Sequence, residues 1–445
     1  MNNFTRIQLY PFYFGKNMCV CEKSSRGVFM TERERGVVQS WGIYQCRRCG
    51  NKKQQYFASF YHKYKNKNVT YCRRCIGEGQ ANTTETLQTS RIREAITGDF
   101  CFVLPFALTP EQQKALFYLR GQMRSGTTMM LQAVCGAGKT EIIASLIATA
   151  VRERKYVGWA IARRDVVIEI TERLQQYFPQ TSIIGLYQNS PDLMKAGQLV
   201  VLTTARLYEF YRFFDILIVD ENDAFPFSID DGQKFAARQA IIRGGITIHI
   251  SATIKKHERH TYQYIRSLAR RFHDYPLPLI KFQKYHLLSW WQRGQIGKKM
   301  QEGIDKWLSK HFPVFVFVSN KKLGRSFALL LQKMYGKERV VFVSSEITNR
   351  TPILQALRAG NIDILVTTTI LERGVTYKNL QVIVLDADAS LFDAQTLVQI
   401  AGRVGRSIDA PDGEIIFCYQ HYITKSMRKA RHYHVRANEG EVVFL

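Results

Sequence analysis

Strand-length apolar runs alternate with helix-length segments twice along this chain, and that doubled alternation limits the fold more than any other feature. Between residues 96 and 275 the runs YVGWAIA, QLVVLTT, FDILIVD and GITIHISAT are separated by segments of helix length. After residue 300 the pattern resumes with HFPVFVFVSN, ERVVFVSS, IDILVTTT, LQVIVLDA and EIIFCYQ. Apolar runs of this kind suit strands buried on both faces, with helices as the crossovers of a parallel sheet. The expected fold class is α/β, with two tandem parallel-sheet lobes at 96–275 and 301–445. Pro276 and Pro278, in PLPLIKFQKYHLL, interrupt the alternation and place a linker over 276–300. Residues 1–95 lack long helical patterns, carry most of the cysteines, and read as a small appended domain.

The charge balance narrows the partners. Lys and Arg number 63 against 37 Asp and Glu, a formal net charge of +26. Such a surplus calls for a polyanion. Nucleic acid comes first, because a phosphate strand engages many basic side chains at once, and anionic lipid second. No apolar run approaches the roughly 20 residues that cross a bilayer, so no direct membrane span is expected. The opening MNNFTRIQLYPFYFGKN lacks the apolar core and cleavage site of a secretory signal, which predicts a cytoplasmic protein.

In a reducing compartment, nine cysteines point to metal ligation before disulfides, and six of them precede residue 80. Cys46-Arg47-Arg48-Cys49 and Cys72-Arg73-Arg74-Cys75 are CxxC knuckles separated by 22 residues. Four thiolates close a tetrahedral zinc site with no open position, so Cys46, Cys49, Cys72 and Cys75 are expected to hold a structural Zn2+. Cys19 and Cys21 form a third pair whose role the spacing leaves open, and His62 is a further candidate ligand. Around the knuckles, YFASFYHKYKNKNVTYCRR interleaves Lys with Tyr and Phe. Cations can track a phosphate strand while rings stack on bases; the alternative is a solvated basic surface over a small aromatic core.

Ala133 to Thr140 reads AVCGAGKT, between the apolar MMLQ and the helical pattern EIIASLIATAV. In a strand, loop, helix context, Gly136 and Gly138 let the backbone of Gly136, Ala137 and Gly138 curl its N–H groups towards a polyphosphate. Lys139 supplies charge to the outer phosphates and Thr140 a hydroxyl to Mg2+. The strict pattern has Gly at its first position, where Ala133 stands. About eighty residues on, FDILIVDEN ends an apolar strand at Asp220 and Glu221. That placement suits one carboxylate on Mg2+ and a second that orients an attacking water.

Over roughly residues 105 to 410 the ordered motifs resemble those of the superfamily-two helicases, which implies RecA-like lobes. LTPEQQ resembles the motif that reads adenine, through Gln112. IARRDVVIEI, with Arg163, Arg164 and Asp165, and LTTARL, with Thr203 and Thr204, resemble strand-contacting motifs. Ser251-Ala252-Thr253 resembles the tripeptide coupling nucleotide to strand, and TTTILERGVT, with Thr367, Thr368 and Thr369, resembles motif five. QIAGRVGRS resembles motif six, which implies an arginine finger at Arg406, helped by Arg403. Glu141 and Gln399 join the nucleotide-binding set that the resemblance implies.

Asp220-Glu221-Asn222-Asp223-Ala224-Phe225-Pro226-Phe227 is similar to the acidic signature of the ComFA family, late competence ATPases of naturally transformable Gram-positive bacteria. Asn222 departs from the family's usual apolar residue. LERGVTYKNLQVIVLDAD and the N-terminal zinc ribbon also resemble this family. The resemblance implies an ATP-dependent translocase of single-stranded DNA, using ATP, Mg2+ and Zn2+. It would act with other competence proteins at a membrane DNA channel, on the inner face of the membrane. A primosomal or repair helicase, an ATP-gated nucleic-acid clamp and an RNA-dependent ATPase are the alternatives.

Overall fold

The apolar runs form strands whose burial follows their composition. The computed structural model describes residues 18–20, 34–88, 93, 96, 99–344, 346, 347, 351–368, 377–441 and 445. The first sheet has seven strands: β1 (Thr128–Ala133), β2 (Val157–Ile161), β3 (Ile183–Leu186), β4 (Leu199–Thr203), β5 (Phe214–Asp220), β6 (Ile241–Ser251) and β7 (Tyr264–Leu268). Their order is β3-β4-β2-β5-β6-β1-β7. β3, β4, β2, β5 and β6 pair in parallel, with Asp220 opposite both Ile161 and Ile250. Every residue of β2 is buried, as a central strand covered on both faces requires.

Four helices belong to this half: α1 (Pro110–Gly121), α2 (Lys139–Arg152), α3 (Arg164–Tyr177) and α4 (Asp231–Ala240). α2 is buried nearly all round: from Glu141 to Val151 only Thr149 is exposed, as its apolar composition on every face requires.

The second sheet has six strands: β8 (Ile280–Lys284), β9 (Val314–Phe317), β10 (Val340–Val343), β11 (Ile364–Thr367), β12 (Gln381–Val384) and β13 (Ile415–Tyr419). All its pairings are parallel, in the order β8-β13-β12-β9-β11-β10. The stretch 276–300, read above as a linker, contains β8 and the helix Leu287–Arg293. Its prolines precede β8, an edge strand, where a missing donor costs least. The helices Lys298–Leu308, Lys321–Tyr335, Thr351–Arg358, Ala394–Ala401 and Lys425–Asn438 also belong to this half.

Before the first sheet lie two hairpins, Val37–Ser40 with Ile43–Cys46 and Phe57–His62 with Lys67–Cys72. By contacts the chain divides into two compact units. One comprises Met1–Ala107, Arg120–Met129 and Ile143–Ile250, and the other Leu108–Leu119, Met130–Ile142 and Ser251–Leu445. Among the described residues, no helix is long and apolar enough to cross a membrane.

Candidate nucleotide site and cysteine centre

In the second unit the phosphate loop joins β1 to α2, and its shape rests on residues distant in sequence. Gly136 and Gly138 both take left-handed backbone angles, with φ of 86° and 76°. A Cβ at Gly138 would lie 2.2 Å from the Gln112 amide nitrogen, so only glycine fits. Gln112 is buried in α1; its Nε2 donates to the Ala137 carbonyl at 2.9 Å and its Oε1 accepts from Thr109 N at 2.8 Å. The side chain that the resemblance assigns to adenine is thus bonded to the loop backbone at one end of its amide. Lys139 and Thr140 open α2, half-buried, where the helix N-terminus and its amides favour an anion, and Glu141 is buried behind them.

The arginine segment lies in the same unit. Gln399 is buried in Ala394–Ala401, and Arg403 is completely buried just beyond that helix. Arg406 is half-buried and its Nε donates to the Gly402 carbonyl at 2.9 Å. Gly402 abuts the phosphate loop: a Cβ there would lie 2.7 Å from Cys135 Sγ. The Ser251-Ala252-Thr253 tripeptide is tied to this unit as well. Ser251 Oγ donates to the Thr253 carbonyl at 2.7 Å, Gln395 Nε2 donates to Thr253 Oγ1 at 3.3 Å, and the Tyr433 hydroxyl donates to the Ala252 carbonyl at 2.8 Å.

Arg271 is the residue that motif reading missed. It is 3 % exposed, and its guanidinium donates to the carbonyls of Val404, at 2.7 Å, and of Gly405. His273 Nε2 donates to the same Gly405 carbonyl at 3.2 Å, while its Nδ1 accepts from Tyr275 N. At its other side, Arg271 Cγ would lie 3.5 Å from a Cβ on Gly136, and Phe272 N donates to the Gly136 carbonyl at 3.0 Å. One short segment after β7 therefore holds both the phosphate loop and the arginine segment. Burial pulls the Arg271 guanidinium down to about 10; Cys135 opposes that pull and Arg406 adds to it. It remains a cation at neutral pH. The available signal was RRFHDYP, a basic pair outside every motif.

In the first unit, Asp220 closes β5. Its Oδ2 accepts from the Trp159 indole at 3.3 Å and its Oδ1 from Glu221 N at 2.9 Å, which fixes the carboxylate's orientation. Glu221 has φ of 51°, a left-handed conformation unfavourable for a residue with a side chain. Arg163 precedes α3, Arg164 is exposed over the Tyr187 ring at 4.9 Å, and Asp165 is exposed. Thr203 is half-buried and Thr204 buried. In the second unit Thr367 is buried and Thr368 half-buried, and Thr369 lies outside the described residues.

The cysteine centre is local. The Sγ atoms of Cys46, Cys49, Cys72 and Cys75 all lie within 4.8 Å of one another, and all four residues are buried. Cys46 and Cys75 are 3.7 Å apart, as are Cys49 and Cys72. Two sulfurs bound tetrahedrally at about 2.3 Å from one metal would be roughly 3.8 Å apart, so the cluster has the dimensions of a zinc site. Thiol hydrogen bonds within the cluster lower Cys46, through Cys49, and Cys72, through Cys46, and raise Cys49 and Cys75. His62 is elsewhere engaged: its Nδ1 accepts from Lys65 N at 3.3 Å. Cys19 lies in the strand Met18–Val20, and Cys21 lies outside the described residues.

The arginines between the knuckle cysteines contribute to the fold. Arg48 is buried and donates to the carbonyls of Glu78 and Gly79, each at 2.8 Å, and Arg74 pairs with Asp230 at 3.3 Å. The cysteines share one hydrophobic core with Tyr208, Phe227 and Ala236 of the first lobe.

Comparison with known proteins agrees with this anatomy. Residues 15–89 match the model of the competence protein ComFA N-terminal domain, 105–256 the type III restriction enzyme res subunit, and 298–408 the helicase conserved C-terminal domain. The chain is 34% identical over 409 residues to competence protein ComFA of Bacillus subtilis, covering 89% of this chain and 86% of that one. It is 34% identical over 372 residues to competence protein ComFA of Streptococcus pneumoniae, covering 81% and 84%. Among solved structures, the Mycobacterium smegmatis helicase Lhr bound to ssDNA and AMP-PNP superposes with a TM-score of 0.55 at 14% identity, covering 76% of this chain and 49% of that one. That likeness establishes the two RecA-like lobes.

Proposed function

Because this chain belongs to the ComFA family, we propose that it is an ATP-driven translocase that draws single-stranded DNA into the cytoplasm during natural transformation. The chain is a superfamily-two, helicase-like ATPase of a competence family. Its polymer and its movement along that polymer are the proposal. The observation that carries the reading is the packing of the phosphate loop on the arginine segment, Cys135 against Gly402, in one compact unit. A change of nucleotide at the loop would thus be felt directly by the element bearing Arg403 and Arg406.

In this reading the amides of Gly136, Ala137 and Gly138 and the Lys139 ammonium hold the outer phosphates, within a site completed by Gln112, Glu141 and Gln399. Magnesium, held by Thr140 and Asp220, would neutralise phosphate charge. Glu221 orients the attacking water, and Arg406, with Arg403, meets the negative charge that develops in the transition state. Arg163, Arg164, Asp165, Thr203, Thr204, Thr367, Thr368 and Thr369 form the path for the DNA backbone, which makes the grip insensitive to sequence. Zinc on Cys46, Cys49, Cys72 and Cys75 is structural, in a domain at 1–95 that precedes the lobes at 96–275 and 301–445. The protein works on the inner membrane face with other competence proteins at the DNA channel.

Steady-state ATP hydrolysis with no polymer, single-stranded DNA, duplex DNA and RNA, at two salt concentrations, tests this. Strong stimulation by single-stranded DNA that weakens with salt is expected. Lys139→Ala and Glu221→Gln should each lower turnover by about 10²-fold or more while strand binding survives. Equal stimulation by all polymers would sink the substrate assignment, and undiminished turnover in the variants would sink the site.

A further inference from the structure

On the cysteine module, four rings stand in a row along one hairpin. Tyr71 meets Phe60 at 5.9 Å between ring centres, Phe60 meets His62 at 6.1 Å, and His62 meets Tyr64 at 6.3 Å. The register explains the row. Residues 60 and 62 share a face of the strand Phe57–His62, and Tyr71, opposite Ala58, sits diagonally beside Phe60. Tyr64 continues the line into the turn that follows, where the His62 ring nitrogen accepts from Lys65 N.

A row of rings that merely roofed a small core would be covered at both ends; here Tyr71 and His62 are half-buried and the Tyr64 end is open. Phe60 is 39 % exposed and Tyr64 is 99 % exposed, so the Tyr64 ring contributes nothing to a core. The surrounding charge is mainly positive. Between Gly36 and Gln80 the chain carries nine Lys and Arg against the single carboxylate of Glu78; Lys65 pairs with Glu85 at 3.1 Å, and Lys63 and Lys67, either side of Tyr64, are exposed.

We propose that Tyr71, Phe60, His62 and Tyr64 form a stacking platform for unpaired bases, a strand-binding site on the cysteine module separate from the motor motifs. The near-regular ring spacing favours a polymer over a membrane surface. It is well above the rise of about 3.4 Å between stacked bases, so each ring would take a base from a strand whose bases have been drawn apart. Cations alongside would follow its phosphates. The proposal rests on the single-strand reading and adds to it a second grip, one that holds the polymer whichever nucleotide occupies the loop.

The test uses the full-length, metal-loaded protein without ATP, titrated onto a fluorescent oligothymidylate and, separately, onto vesicles of phosphatidylglycerol and phosphatidylcholine. Tyr64→Ala should weaken oligonucleotide binding about tenfold, while Tyr64→Phe, which keeps the ring, stays within about twofold of wild type. The position is fully exposed, and unchanged zinc content shows that the module is intact. If wild type binds the oligonucleotide and Tyr64→Ala binds equally well, the platform is wrong and the single-strand reading stands. If wild type binds no oligonucleotide, both fall. If Tyr64→Ala loses vesicles and keeps the oligonucleotide, the row is a membrane contact and the proposal is overturned.

Discussion

The cysteine centre and the phosphate loop are both announced by short spacings, yet they are held in opposite ways. The cysteine centre is closed from within: its four sulfurs come from 30 consecutive residues, and Arg48 clasps the second knuckle by bonding Glu78 and Gly79. The phosphate loop is held from far away, by Gln112 on one side and by the Arg271 to His273 segment on the other. That segment in turn grips Val404 and Gly405, more than 130 residues further on. A structural crosslink gains from being self-contained. A loop whose contents must be reported to another element gains from sharing its supports with that element.

The largest expected effect breaks the local half of this contrast. Cys72→Ser should lower metal content from about one ion per chain towards none and destabilise the first unit by several kcal/mol, since the cysteines lie in the same core as Phe227 and Ala236. Elemental analysis and thermal unfolding check it; a variant that keeps its metal and its transition would show that the four sulfurs do not act together. The next addresses the remote half. Arg271→Ala removes two charge-assisted bonds to carbonyls, together worth about 3 kcal/mol. It should lower kcat/KM for ATP by roughly tenfold to a hundredfold through a misplaced loop and arginine segment, with metal content unchanged. Wild-type hydrolysis in that variant would mean that the loop supports itself, and the contrast would collapse.

The smallest effect sharpens the picture of remote ties within the second unit. Glu414 is bonded by Lys281 at 2.7 Å, by Lys306 at 3.1 Å and by the Trp307 indole at 3.3 Å. Burial alone would raise its carboxyl, and these bonds, with the Lys281 charge, outweigh burial and hold it at about 2. A carboxyl depressed on folding adds stability that is fully present above its unfolded value, near 4.5, and is lost as pH falls towards 2. After allowance for solvent screening, about 1–2 kcal/mol is expected. Urea unfolding of wild type and Glu414→Gln should differ by that amount at pH 6 and by roughly half as much at pH 3, between the two values, where the contribution is only partly lost. A difference that persists unchanged at pH 3 would assign the effect to packing.

Most strands of both sheets were legible because strands buried on both faces read as continuous apolar runs; β3 and β7 were not among those runs, and neither was β8. It is a short edge strand, Ile280–Lys284, with two lysines, and it sits in what read as a proline-broken linker. The arginines of the knuckles divide in burial in a way that spacing could not foresee: Arg48 is buried and Arg74 half-buried, while Arg47 and Arg73 are exposed.

By itself, the sequence determined the residue types and spacings that chemistry demands: GAGKT before a helix, a carboxylate pair after a strand, and two CxxC knuckles that can meet within a single small module. Those follow from local geometry, where a turn, a helix start or a hairpin needs few neighbours. Only the tertiary structure decided that Arg271 braces the phosphate loop against the arginine segment, that the cysteine module shares a core with Phe227, and that Tyr64 stands clear of any core. Each of these depends on which distant segments pack together, and packing is a property of the whole chain that no window of sequence contains.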